Sequence, residues 1–290
     1  MTPVEMIPSL VDQSFRGSMA KTYGAAAGPQ HATYAAGGNI FADTFGYLLV
    51  GMLGDELVTG AVAPYSHAVS LQNSASGQPP SYTLVDSNGL ESNSYAGTIV
   101  TDLDIKLSST ALCEYTTTLM SQSFASGAVG SPSYGTLPPV PAYKVVATLG
   151  GTLSPRNTDA EIIIKRTGDP IFTLNNTTGA YQIFAAGDLE VTGKLMQVYE
   201  VATLRDQFRA GTYSSVDLAV SIGAGATSQG LTLHVTNAYL DKADVVRGKS
   251  YVELQVDFTA IANSTDAGAS GGLSPLKATL VNAVAAGTYK

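Results

Sequence analysis

Few residues of this chain have side chains suited to chemistry, and they are scattered. Gly268-Ala269-Ser270-Gly271-Gly272 fits the G-x-S-x-G pattern of a nucleophilic serine. That serine needs a strand before it and a helix after it, so that a strained turn exposes its hydroxyl. Here the polar run ANSTDAGAS precedes the motif, and LSPLKATL, which reads as a strand, follows it. A flexible Gly/Ser loop is the better reading. His31, His67 and His234 have no histidine partner four residues away and no neighbouring cysteine pair, whereas zinc needs three or four convergent ligands. His234 falls on the polar face of a strand and reads as exposed. The lone Cys113 reads as a small strand residue with nothing nearby in sequence to activate it. Asp102 and Asp104 share one strand face, as do Glu253 and Asp257. Paired carboxylates serve acid–base catalysis or hold calcium. On a strand, however, residues two apart sit about 7 Å from each other and residues four apart about 13 Å, and no D-x-D-x-D-G loop is present. A solvated acidic face is the plain interpretation. The sequence therefore predicts no catalytic residue, no metal ligand and no cofactor.

The totals narrow the class further. The chain has 290 residues, a formal charge of -8, 44% apolar and 13% charged residues, and no tryptophan. That length buries an ample core, and the low charge with high apolar content argues against disorder. An acidic chain lacks the basic surface of a phosphate-neutralising DNA binder. A single cysteine excludes an intrachain disulfide framework and fits a reducing compartment. The segment MTPVEMIPSLVDQSFRG has no basic region followed by an apolar run, so no signal peptide is expected. Without secretion, the sequons at Asn175, Asn176 and Asn263 carry no meaning. The apolar stretch at 40–53 is too short for a bilayer, which needs about 20 residues. The expectation is a soluble protein made inside the cell.

The elements that must position these residues are mostly strands. TIVTDLDIKL places Ile99, Leu103, Ile105 and Leu107 against Asp102, Asp104 and Lys106. The runs SVDLAVSI, GLTLHVTN and YVELQVDFTA alternate in the same way, the last setting Val252, Leu254, Val256 and Phe258 against Glu253, Gln255 and Asp257. These are half-buried antiparallel strands with one wet face, and a β-sandwich or barrel is their natural container. Two short helices interrupt them. At 43–53, Asp43 offers a cap, Phe45, Leu48, Leu49, Met52 and Leu53 form a stripe, and Gly54 supplies the stop. At 203–210, Thr203 and Asp206 resemble a capping box before Gly211. The first helix has no charged side chain from Thr44 to Leu53.

A helix followed by four strands occurs twice in the same order. ELVTGAV corresponds to SVDLAVS, SYTLVD to GLTLHV, GTIVTDLDIKL to GKSYVELQVDF, and ALCEYTTTLM to SPLKATLVNA. The order fits either a tandem duplication or one larger sandwich whose strands merely share alternation. On the first reading, residues 1–36 are an amino-terminal arm and 37–124 the first β half. An uncharged Pro/Gly-rich linker or loop occupies 125–143, and 144–290 form the second half.

From SFRG to DIKL the chain resembles a phage tail tube protein, the major tail protein of a long non-contractile-tailed bacteriophage. The residues that carry the resemblance are GGNIFADTFGYLLVGMLGDE, SHAVSL, PPSYTLVD and GTIVTDLDIKLS. DLEVTGKL, GLTLHVTNAYLDK, YVELQVDFTAIA and SPLKATLVN continue it. The resemblance implies an all-β fold, a tube-like sandwich or barrel with short flanking helices, assembled into stacked rings around a tape-measure protein. It implies contacts with tail-terminal proteins, a lumen through which DNA passes without specific binding, no membrane partner, and a place in the virion tail after assembly in the host cytoplasm. A duplicated chain would form a trimeric ring with pseudo-six-fold symmetry, and a single fold a hexamer. Acidic lumen-facing candidates are Asp102, Asp104, Glu190, Glu253 and Asp257. Thr44, Tyr47, Val50 and Gly51, on the neutral side of the first helix, are subunit-interface candidates, and Gly51→Lys would then block assembly before folding. The competing readings are a capsid decoration or tail-terminator protein, and a carbohydrate-binding or adhesive β-sandwich. Sugar sites stack their ligands on exposed aromatics, and the absence of tryptophan weighs against the last.

Overall fold

A computed structural model describes residues 2–74, 76–127, 135, 137–248 and 250–290. Of the 125–143 segment, residues 128–134 and 136 lie outside the described residues. The chain begins with β1 (Thr2–Met6), β2 (Ser9–Asp12), β3 (Gly24–Ala27) and β4 (His31–Asn39). Helix α1 (Phe45–Leu53) leads into β5 (Gly54–Thr59), β6 (Tyr65–Leu71), β7 (Tyr82–Ser87), β8 (Ser92–Ser108), β9 (Glu114–Ser121) and β10 (Phe124–Gly127). Then come β11 (Val146–Leu149), β12 (Thr152–Leu153), β13 (Asn157–Ile171) and β14 (Gln182–Val198). Helix α2 (Thr203–Ala210) precedes β15 (Ser214–Ile222), β16 (Gln229–Val246), β17 (Glu253–Ala260) and β18 (Lys277–Asn282). Among the described residues the fold is all-β with two short α-helices.

Eight strands form a continuous antiparallel wall in the order β1-β4-β9-β8-β13-β14-β17-β16. Two of them are too long to remain in it. The amino-terminal part of β8 leaves to pair with β7 and β10, and that of β16 pairs with β15 and β18. From β18 the pairing passes to β6 and then β5, while β15 passes to β11. One apolar core runs through both regions, from Phe45, Leu49 and Met52 on α1 to Leu254, Val256 and Phe258 on β17. Helix α1 packs on β8 and α2 on β16.

Alternation accounts for most of this burial. Val216, Leu218, Val220, Leu231, Leu233 and Val235 all point into the core, as expected of strands with one wet face. Ile99 does not. A register shift between Val100 and Asp102 inserts a residue, so Val100 takes the core position and Ile99 joins a small separate cluster with Ala180, Ile183 and Ala185. A bulge of this kind reverses the inside–outside pattern of a strand. Val252 lies outside β17 and is exposed.

The helix boundaries match the two glycines but not the caps. Thr44 and Ala202 occupy the N-cap positions, and neither makes a side-chain cap bond. The backbone carbonyl of Asp43 instead accepts the Tyr289 hydroxyl at 2.6 Å, and Asp206 pairs with Arg209 on the surface of α2. Gly211 has φ 63° and Gly54 φ 93°, backbone values that a residue with a Cβ rarely adopts.

Two irregularities recur along the chain. The shift between Val100 and Asp102 in β8 has a counterpart between Leu240 and Lys242 in β16. Tyr95 and Thr98 flank another, where β8 meets β7, as Val235 and Ala238 do where β16 meets β15. The same step along the sequence separates each pair. The pairing thus equates β7, β8 and β9 with β15, β16 and β17, one strand away from the correspondence read in the sequence. The alternation alone does not reveal that β5 and β6 are additional strands in the first set. Residues 2–36, which show no sustained period in sequence, form β1, most of β4 and the β2–β3 hairpin.

Candidate functional site

The chemistry-bearing residues do not converge. Ser270 closes a loop: its backbone N–H donates to Asp55 Oδ2 at 2.7 Å, and its hydroxyl accepts the Asn73 backbone N–H at 3.1 Å. The G-x-S-x-G stretch is therefore a tied-down loop rather than a flexible one. Cys113 is fully buried, which pushes its thiol up to about 12 and holds it protonated. His234 is half-buried between Asp217 and Thr236, so it is less exposed than its strand position suggests. His67 is completely buried against Glu56. Among the described residues no group of three or more His, Cys, Asp or Glu side chains is placed to hold a metal ion.

The wet face of the wall is more organised. Its strand register sets one row across six strands, Glu114–Lys106–Glu161–Lys194–Asp257–Lys242, alternating in sign at every step. A second row reads Thr118–Asp102–Lys165–Glu190. Lys106 lies 2.9 Å from Asp104 and 3.4 Å from Glu161, and those carboxylates, Asp104 first, hold its ammonium above the usual lysine value. Lys165 lies 3.7 Å from Asp102. Open ion pairs such as these contribute about 0.2–1 kcal/mol each, so the rows shape surface potential and register more than stability.

Asp102, Asp104, Glu190 and Asp257 are thus brought to one face, each in register with or close to a lysine. Glu253 is not open on that face. It starts β17 opposite Val198 and Val246, is 2% exposed, and accepts a hydrogen bond from the Thr158 hydroxyl at 3.4 Å. Sequence reading missed the lysines at 106, 165, 194 and 242 as members of the site. Each occupies a wet position of an alternating strand, but only the register shows that a carboxylate lies across from it.

The bare helix has a different explanation from the one its composition suggests. Val50 and Gly51 are buried by their own chain. A Cβ on Gly51 would lie 2.7 Å from the Tyr82 ring and 3.0 Å from Val100 Cγ2. Gly46 is equally closed by the ring of Tyr289. Tyr47 is 40% exposed and stacks edge-on against Tyr82 and Tyr289, and Thr44 is exposed. Close packing within the chain, rather than a neighbour, accounts for the missing charges at 50 and 51. Gly51→Lys should therefore prevent folding rather than assembly, costing at least about 3 kcal/mol through overpacking and a buried ammonium. A melting curve of the soluble fraction checks this, and a variant that melts like the parent but does not assemble would reverse it.

Residues 8–260 match the family described as phage tail tube protein. No curated protein matches the chain.

Proposed function

The chain belongs to the phage tail tube protein family, and we propose that copies of it close into rings that stack into the tail tube through which the genome leaves the virion. The observation that carries this reading is a wall with two open ends. Among the described residues, β1 pairs only with β4, and residues 239–246 of β16 pair only with β17. Open strand edges invite association, and a closed cyclic ring of copies removes them. The recurring bulges and the two helices, each on its own long strand, support a tandem duplication in which residues 2–36 belong to the first unit. Three chains would then form a ring of pseudo-six-fold symmetry.

On this reading the wet face of the wall, with Asp102, Asp104, Glu190 and Asp257, lines the lumen. Three of its lysines, Lys106, Lys165 and Lys242, already lie within ion-pair distance of carboxylates, so passing phosphates gain little from displacing counterions, and DNA slides without specific binding. The tape-measure protein occupies the same lumen during assembly in the host cytoplasm, and tail-terminal proteins cap the stack. Negative-stain images of the purified protein should show rings or tubes of uniform bore, and the mass of an isolated ring should equal three chains. Six chains would replace the trimer by a plain hexamer, and a monomer persisting under all conditions would overturn the assembly reading.

A further inference from the structure

Resting on the ring reading, we propose that the free edge of β16 pairs antiparallel with β1 of a second copy, in a register set by the junction between β8 and β13 within the chain. Lys242 then faces Met6 of the second copy, Asp244 faces Val4, and Val246 faces Thr2.

The internal junction serves as the template because the strands on each side of it have counterparts at the free edges. Strand β8 matches β16 through both bulges, so Asp102 corresponds to Lys242 and Lys106 to Val246. Strand β13 matches β1, since each flanks the strand that leads to a helix. Lys165 pairs with Glu190 on β14 as Met6 pairs with His31 on β4, and Glu161 pairs with Lys194 as Thr2 pairs with Ala35. The equivalence of β14 and β4 is fixed at their far ends, where Val198 faces Glu253 and Asn39 faces Glu114. Within the chain, Asp102 faces Lys165, Asp104 faces Ile163 and Lys106 faces Glu161. Replacing each residue by its counterpart gives the proposed register.

The chemistry of the two edges fits it. Val4 and Met6 are 54% and 46% exposed, and the aliphatic stem of Lys242 would cover Met6 while its ammonium, 3.2 Å from Asp244, stays in water. On the opposite face Glu5 lies beside Tyr95 and would meet Ala243, whose small side chain leaves it room. An inward-facing charge on an edge strand also discourages pairing in other registers.

Cysteine pairs in the full-length chain test the register. Oxidation of assembled rings carrying Val4→Cys and Asp244→Cys should link neighbouring copies with a yield about tenfold above that of Met6→Cys with Val246→Cys. The second pair sits four residues out of register, about 13 Å apart along the strands, beyond the reach of a disulfide. If the double variants assemble poorly, Val4→Cys chains mixed with Asp244→Cys chains should give the same link, and single-cysteine chains control for Cys113. Equal yields, or a preference for the second pair, in rings confirmed by electron microscopy would overturn the register while leaving the ring reading intact. Failure of the unmodified protein to form rings would overturn the ring reading itself.

Discussion

Glu56→Leu is expected to lower the melting temperature by about 10 °C. Removing one partner of a buried, hydrogen-bonded Glu–His pair costs about 3–5 kcal/mol, and in a chain of this size each kcal/mol shifts the midpoint by about 2–4 °C. Glu56 on β5 and His67 on β6 sit diagonally across paired strands, and both side chains are almost completely buried. The two ring nitrogens of His67 face oxygens, Glu56 Oε1 at 2.8 Å and the Val284 carbonyl at 3.0 Å. Lys290 closes the other side, 3.9 Å from Glu56 Oε2, and donates to the Glu56 carbonyl at 2.8 Å. Leucine at 56 would leave His67 Nδ1 buried with no acceptor there. Glu56→Gln, which keeps an amide oxygen for the ring, should cost much less. The double variant Glu56→Leu/His67→Phe should recover part of the loss, because an apolar pair carries no desolvation penalty. Thermal melts of the three variants check this, and parental stability in Glu56→Leu would show that the pair does not hold β5 and β6 in place.

The sequence makes the strands legible and hides their partners. Val216, Leu218 and Val220, or Leu254, Val256 and Phe258, reveal a wet and a dry face by themselves, because burial on one side imposes a period of two. Ile99 is misassigned because a bulge changes the parity of β8 without changing its composition. Strands β1 to β3 escape notice because short runs such as GAAA carry no alternation, so only pairing defines them. The bareness of α1 is visible in sequence, but its cause is not. Tyr82, Val100 and Tyr289 lie far along the chain from Gly46 and Gly51, and close packing by distant residues leaves no local trace. The charged face shows the same division. Its carboxylates can be picked out strand by strand, whereas its alternation in sign belongs to the register of neighbouring strands, which no single segment encodes.

That alternation underlies the largest functional effect expected. Glu161→Lys with Asp257→Lys would turn the row from Lys106 to Lys242 into five successive lysines, because the register already places Lys106, Lys194 and Lys242 there. Folding and ring closure should survive, since open ion pairs contribute under about 1 kcal/mol each and both positions lie on the wet face. DNA passage should not. A row in which lysines outnumber the carboxylates beside them holds phosphate by releasing its counterions, with about 0.9 added to the salt slope for each phosphate neutralised. Tubes of the double variant should therefore retain DNA at low salt and release it as salt rises, while parental tubes retain little at either. In phage assembled with the variant, dye-monitored genome ejection should slow markedly. A conservative pair, Glu161→Gln with Asp257→Asn, should fall between the two, because it removes two negative charges from the row without adding lysines. If the lysine variant forms normal tubes and ejects DNA at the parental rate, the charged face does not line the lumen. The opposite face of the wall is filled by Leu103, Ile105, Ile162 and Ile164 in the core, so no second face of this sheet could take its place. The outcome therefore decides whether the eight-stranded wall borders the DNA at all.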